Sequence, residues 1–90
     1  MNKSQLVDAI AAKTGQSKAA VAAVVNATTE VVQDAVAKGD KVTVPGFGVF
    51  ERRFREGGER RSPQGGTVHV ASKHVPAFKP GRAFKDTVSA

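Results

Sequence analysis

The sequence predicts an α+β fold in the order helix, helix, strand, long hairpin, helix. Three observations carry that prediction. Apolar residues recur at helical spacing as far as Lys38 and alternate from Lys41 onward. Gly15 and Gly39 stand where two helices would stop. The stretch from Arg52 to Gly66 is rich in arginine and glycine and outgrows any core that so short a chain could build.

Asn2 is a good helix N-cap, with Gln5 three residues on to return a hydrogen bond to it. Leu6 and Ile10 are four apart, and Val7 and Ala11 repeat that spacing beside them, which makes one apolar stripe. Gly15 ends this helix, because glycine enters the left-handed C-cap conformation without a Cβ clash. Ser17 caps a second, longer helix running to about Lys38 and closed by Gly39. Val21, Val24, Val25, Val31, Val32, Ala35 and Val36 fit its helical period. So many valines lower helix propensity, so packing has to hold it in place.

From Lys41 the period becomes two. Val42 and Val44 alternate with Lys41 and Thr43, and Pro45-Gly46-Phe47-Gly48 makes a turn. A strand over Val49–Arg55 enters the arginine-rich ribbon, and Thr67–Ala71 returns from it. Val75–Phe78 reads as a short strand, and Pro80-Gly81 opens a last helix from Arg82 to about Ser89, with Phe84 and Val88 on its inner face. At about 3.3 Å per residue, the ten steps from Arg53 to Pro63 reach on the order of 30 Å. Phe54 is the last large apolar residue before the tip, so the ribbon is expected to project into solvent as an arm. Gly57-Gly58 weakens the strand and makes the free arm flexible.

Charge follows the same division. Residues 1–40 balance four Lys against four acids, whereas residues 41–90 hold ten Lys and Arg against four acids, so the net +6 lies in the second half. A basic half on a neutral scaffold reads as a polyanion-binding surface. The 90 residues are read as one domain: a helical dimerisation half over 1–40, a sheet and arm over 41–81, and a C-terminal helix over 82–90. A chain this small is only marginally stable alone, and a core shared between two copies would cure that. There is no cysteine, hence no disulfide or thiolate metal site, and no apolar run approaches the roughly 20 residues of a membrane-spanning helix. The opening residues lack the apolar segment of a signal peptide. A cytoplasmic protein with no cofactor and no bound metal is expected.

Several motifs together resemble the bacterial HU family. They are Met1-Asn2-Lys3-Ser4-Gln5-Leu6-Val7, Gly46-Phe47-Gly48-Val49-Phe50, the tip Arg61-Ser62-Pro63-Gln64, and Val75-Pro76-Ala77-Phe78-Lys79-Pro80-Gly81-Arg82-Ala83-Phe84-Lys85. The likeness covers essentially the whole chain in order. Pro63 to Val68 is one residue shorter than usual, and Ser62 stands where the family commonly has asparagine. The resemblance implies an intertwined dimer, homodimeric or with a paralogous subunit, built on an α-helical base with a small antiparallel sheet. Two β-ribbon arms would wrap double-stranded DNA and enter its minor groove. Proteins of this kind are a standing example of minor-groove binding with apolar wedges, so that geometry is the family's. By position, Pro63 would be the intercalating residue, and Arg53, Arg55, Arg60 and Arg61 would line the arm. Lys3, Lys79, Arg82 and Lys85 would touch flanking phosphates, and Gln64 and Lys73 complete the expected DNA-binding set. Phe47, Phe50 and Phe78 would form the shared core and dimer interface. The implied role is a histone-like, nucleoid-associated protein that bends DNA without sequence preference.

The chemistry suits those residues. Kinking a duplex partly unstacks a base step, at about a few kcal/mol, and a rigid apolar ring can replace the lost contact. Proline is compact, fixed in φ and brings no amide donor in need of a partner. Arginine suits a narrow minor groove, where negative potential concentrates and its weakly hydrated guanidinium enters readily. No helix carries a base-reading array of Asn, Gln and Arg, which argues against direct readout. An enzyme is not expected: His69 and His74 have no second ligand or carboxylate close in sequence. Gly46-Phe47-Gly48 is no dinucleotide fingerprint, since Glu51 holds the third glycine position. Sequence-specific bending in the manner of integration host factor, RNA binding, and a purely structural dimerisation module are the rival readings.

Overall fold

The structure, a computed structural model, describes residues 1–90. It contains two compact units, Met1–Asp34 and Ala35–Ala90. In the first, α1 (Lys3–Thr14) begins with the capping box read from the sequence: Gln5 N–H donates to Asn2 Oδ1 and Asn2 N–H to Gln5 Oε1, both at 2.9 Å. Gly15 ends it at φ 73°, its N–H donating to the Ala11 carbonyl. The next helix, α2 (Lys18–Ala37), starts from Ser17, whose Oγ accepts the Ala20 N–H at 3.1 Å. Its last turn and Gly39, at φ 95°, belong to the second unit. Val7, Ala11 and Val21 are buried together, with Ile10, Ala22 and Val25 against them. Leu6, Val24 and Val31 of the expected stripes stay exposed. No helix is long and apolar enough to cross a membrane.

The second unit holds a three-stranded antiparallel sheet in the order β1 (Val42–Val44), β2 (Gly48–Arg55), β5 (Lys73–Pro80). A separate two-stranded ladder, β3 (Gly58–Arg61) with β4 (Thr67–Val70), forms the arm's outer part, and α3 (Arg82–Ser89) closes the chain. The register sets Phe50 opposite Phe78, Glu51 opposite Ala77 and Arg53 opposite Val75. Phe47, in the Pro45–Phe47 turn, stacks on Phe84 with centroids 5.3 Å apart and packs beside Phe50 and Phe78. Gly48 makes this possible, since a Cβ there would stand 2.6 Å from the Phe78 ring and from the Lys79 carbonyl.

Three expectations need correction. The short strand over Val75–Phe78 is in fact the eight-residue β5. Its prolines, Pro76 and Pro80, concealed it, yet β5 is an edge strand and can omit ladder donors. The hairpin is not continuous, because Glu56-Gly57 faces Ala71-Ser72 without ladder pairing, and Gly57 N–H donates instead to Ser72 Oγ at 2.9 Å. Val88 is exposed rather than turned inward; of that pair only Phe84 packs against neighbours.

Candidate nucleic-acid interface

Strand alternation sorts the arginines of β2. Successive side chains point to opposite faces, and directly paired residues share a face. One face therefore carries Glu51, Arg53 and Arg55 from β2 together with Lys73 and Lys79 from β5. The other carries Phe50, Phe54, Phe78 and His74, with Phe54 and His74 meeting edge-on at 5.4 Å. Arg52 falls on this second face, and its Nη1 donates to the Ala37 carbonyl at 3.0 Å, closing the end of α2. One arginine of the run thus serves the fold, while its neighbours at 53 and 55 are exposed on the cationic face.

The centre of that face is an acid. Glu51 is buried, its side chain 8% exposed. Lys79 Nζ lies 3.0 Å and Arg53 Nε 3.7 Å from Oε1, and Lys41 Nζ lies 3.6 Å from Oε2. The hydrogen bond from Lys79 is the main cause holding this carboxyl below the usual range. Partial desolvation opposes it, and the charges of Lys79 and Lys41 reinforce it. The Glu51 carboxylate and the Lys41 ammonium were both missed in the sequence. The alternation of Glu51 with Arg53 was legible there, but the placing of Lys41, just before β1, and Lys79, on β5, on either side of β2 follows only from sheet order.

Beyond the break in the ladder, Arg60 pairs with Val68 and Arg61 with Thr67. Both arginines are exposed, and Arg60 Nη2 reaches the Glu56 carbonyl at 3.5 Å. Ser62 closes the tip: its N–H donates to the Gly66 carbonyl at 2.9 Å, its carbonyl accepts from Gly65 N–H, and its Oγ accepts from Gln64 N–H. Gly65 and Gly66, at φ 92° and 79°, supply the left-handed backbone the turn requires. Pro63 and Gln64 are left exposed at its apex.

The remaining expected contacts lie on helices. Lys3 lies in the first turn of α1, in the first unit, and is exposed. Arg82 and Lys85 are exposed on α3, where Arg82 stands 3.9 Å from Asp86 in a solvated pair of little energetic weight. The structure brings Arg53 and Lys79 together with Lys41, places Arg55 and Lys73 opposite each other, and sets Arg60 and Arg61 beside the Pro63 turn.

A cationic sheet face, a basic ribbon and an exposed proline tip describe an α+β nucleic-acid-binding module. Residues 1–89 match the profile of the family described as "Bacterial DNA-binding protein". The chain is 49% identical over 88 residues to DNA-binding protein HU of Lactococcus lactis, covering 97% of each chain. It is 44% identical to the HU protein of Geobacillus stearothermophilus, covering 98% of this chain and 99% of that one. Among solved structures, an Anabaena HU–DNA cocrystal structure superposes with a TM-score of 0.93 at 42% identity, covering 99% and 98%. HU from Thermotoga maritima gives 0.71 at 36% identity, covering 98% of each chain. The chain belongs to the HU family of bacterial DNA-binding proteins. Its fold is the HU fold, and it is no enzyme.

Proposed function

We propose that the protein is an architectural DNA-binding protein that grips and bends duplex DNA without reading its sequence. Two copies associate, with Phe47, Phe50 and Phe78 in the shared core. Each arm lies along the minor groove, and Pro63 enters a base step. Arg53, Arg55, Arg60 and Arg61 follow the groove, while Lys3, Lys73, Lys79, Arg82 and Lys85 meet phosphates on either side and Gln64 lies beside the wedge. Action on the nucleoid, in the bacterial cytoplasm, goes with this role.

The observation that carries the reading is the exposed Pro63 at the apex of a turn that Ser62 closes, immediately beyond Arg60 and Arg61. A turn held by its neighbours' hydrogen bonds presents the ring without needing the proline for closure. Phosphate contacts then favour bending that would otherwise cost about 1–6 kcal/mol, and the ring offsets part of the unstacking.

Fluorescence anisotropy with intact and nicked duplexes of unrelated sequence, over a salt series, tests this. The expected result is tight binding indifferent to sequence, stronger for nicked duplex. Its logarithm should fall linearly with that of salt, with a slope of about −0.9 per phosphate neutralised. One strongly preferred sequence would instead indicate site-specific bending, and no binding at low salt would overturn the DNA reading.

A further inference from the structure

Glu51 is an odd residue to find in the middle of a phosphate-binding face. A carboxylate there repels the ligand, yet this one is among the few buried side chains of the protein. The geometry points to Glu51 as a positioning residue for DNA binding: its covered carboxylate gathers Lys41, Arg53 and Lys79 into a single seat for a backbone phosphate at the root of the arm. This rests on the DNA-binding reading above and adds Lys41 to the contact surface.

The arrangement is layered. The carboxylate is 8% exposed, while the side chains of Lys79, Arg53 and Lys41 are 57%, 57% and 70% exposed. Cations therefore lie between the acid and solvent. Lys79 and Arg53 share Oε1 and Lys41 takes Oε2, so both oxygens are engaged and neither is free to confront a phosphate. An ammonium has three donors and a guanidinium five. Lys79, at 3.0 Å, spends one on Glu51, Lys41 and Arg53 stand at ion-pair distances of 3.6 and 3.7 Å, and all three keep donors to present outward. Three positive charges around one negative charge leave the seat with a net +2, which attracts a phosphate.

The carboxylate also changes what binding must organise. Long cationic side chains left to themselves repel one another and sample many rotamers, and a ligand that fixes them bears that ordering cost. Held by a common anion from beneath, the cations from before β1, from β2 and from β5 already converge. Single exposed ion pairs count for little. Here the benefit is geometric, because one acid determines where three donors stand.

The sign of one substitution separates this from plain electrostatics. If Glu51 merely repels DNA, Glu51→Gln tightens binding. If it positions the seat, Glu51→Gln weakens it despite the gain in positive charge. The test uses the full chain, a random-sequence duplex and anisotropy across a salt series, with Glu51→Gln, Lys79→Ala, their double variant and Lys41→Ala. Expected are a loss of about threefold or more for Glu51→Gln and a clearly smaller effect of Lys79→Ala on the Glu51→Gln background than on wild type. The salt slope should become shallower by about 1. A general loosening of the fold would not produce that coupling. Unchanged or tighter binding by Glu51→Gln overturns the proposal.

Lys41→Ala guards against a Glu51 variant that does not fold, since Lys41 is largely solvated. It should lower affinity and flatten the slope by about 0.9, and an unchanged slope equally overturns the seat. Failure of the wild-type chain to bind duplex would instead sink the DNA reading itself, so the two failures are distinguishable.

Discussion

The ring of Pro63 is exposed at the apex of a turn whose hydrogen bonds all belong to Ser62, Gln64, Gly65 and Gly66. Removing the ring therefore leaves the turn intact and tests the wedge alone. Pro63→Ala should reduce the bend of bound duplex, read by energy transfer between labelled ends, more than it reduces affinity. An unchanged bend would remove Pro63 from that role. Glu51 allows a second prediction at this scale. The folded chain holds its carboxyl below the usual range, so the associated stabilisation is complete above about pH 4.3 and disappears as pH falls through the lowered value. In urea denaturation, the stability difference between wild type and Glu51→Gln should shrink on acidification below about pH 4.3. A constant difference across that window would show that the carboxylate's charge contributes nothing to folding. Arg52 and Arg53 show how little composition says of single residues: adjacent and alike, they serve helix closure and the cationic face because a strand alternates.

The arm is two short ladders joined at a break, and the break depends on Gly57. A Cβ on Gly57 would collide with the Val70 carbonyl and with backbone atoms of Ala71 and Ser72. The two segments of the arm approach closely there, and Gly57 N–H bonds to Ser72 Oγ in place of a ladder partner. Gly57→Ala should cost about 1–3 kcal/mol locally, in the range of an overpacked site. Amide hydrogen exchange would read this as lost protection over Gly58–Arg61 and Thr67–Val70, with α1 unaffected. Equal protection in both proteins would mean that the junction has room to relax. The glycine pair was legible as a weak point in a strand, but its close approach to the opposite strand was not. Edge position likewise explains why β5 was read too short: two prolines look like strand breakers until sheet order shows one side of the strand unpaired.

For the protein as a whole, the apolar inventory exceeds what one chain covers. Only Val7, Ala11 and Val21 form the buried apolar core, while Phe47 is 44% and Phe78 38% exposed within an otherwise well-packed aromatic cluster. Shared burial between two copies is the physical consequence we expect. Phe47→Ala should then cost about 3–5 kcal/mol, the range for a buried aromatic, and the denaturation midpoint of the wild type should rise with protein concentration. A loss near zero, with a midpoint independent of concentration, would mean that the ring remains half-exposed and the interface lies elsewhere.

By itself the sequence determined the element order, both caps of α1, the neutral and basic halves, the arm and its proline apex. These follow from local rules, namely hydrophobic period, capping chemistry, turn residues and charge counts, each acting over a few residues. The tertiary structure alone decided which residues of β5 and the β1 segment join the arginine face of β2, where the ladder breaks, how long β5 is, and that Lys41, Arg53 and Lys79 converge on Glu51. Those features depend on register between segments up to 38 residues apart in the chain, as Lys41 and Lys79 are. Strand pairing establishes that register, and no local pattern encodes it.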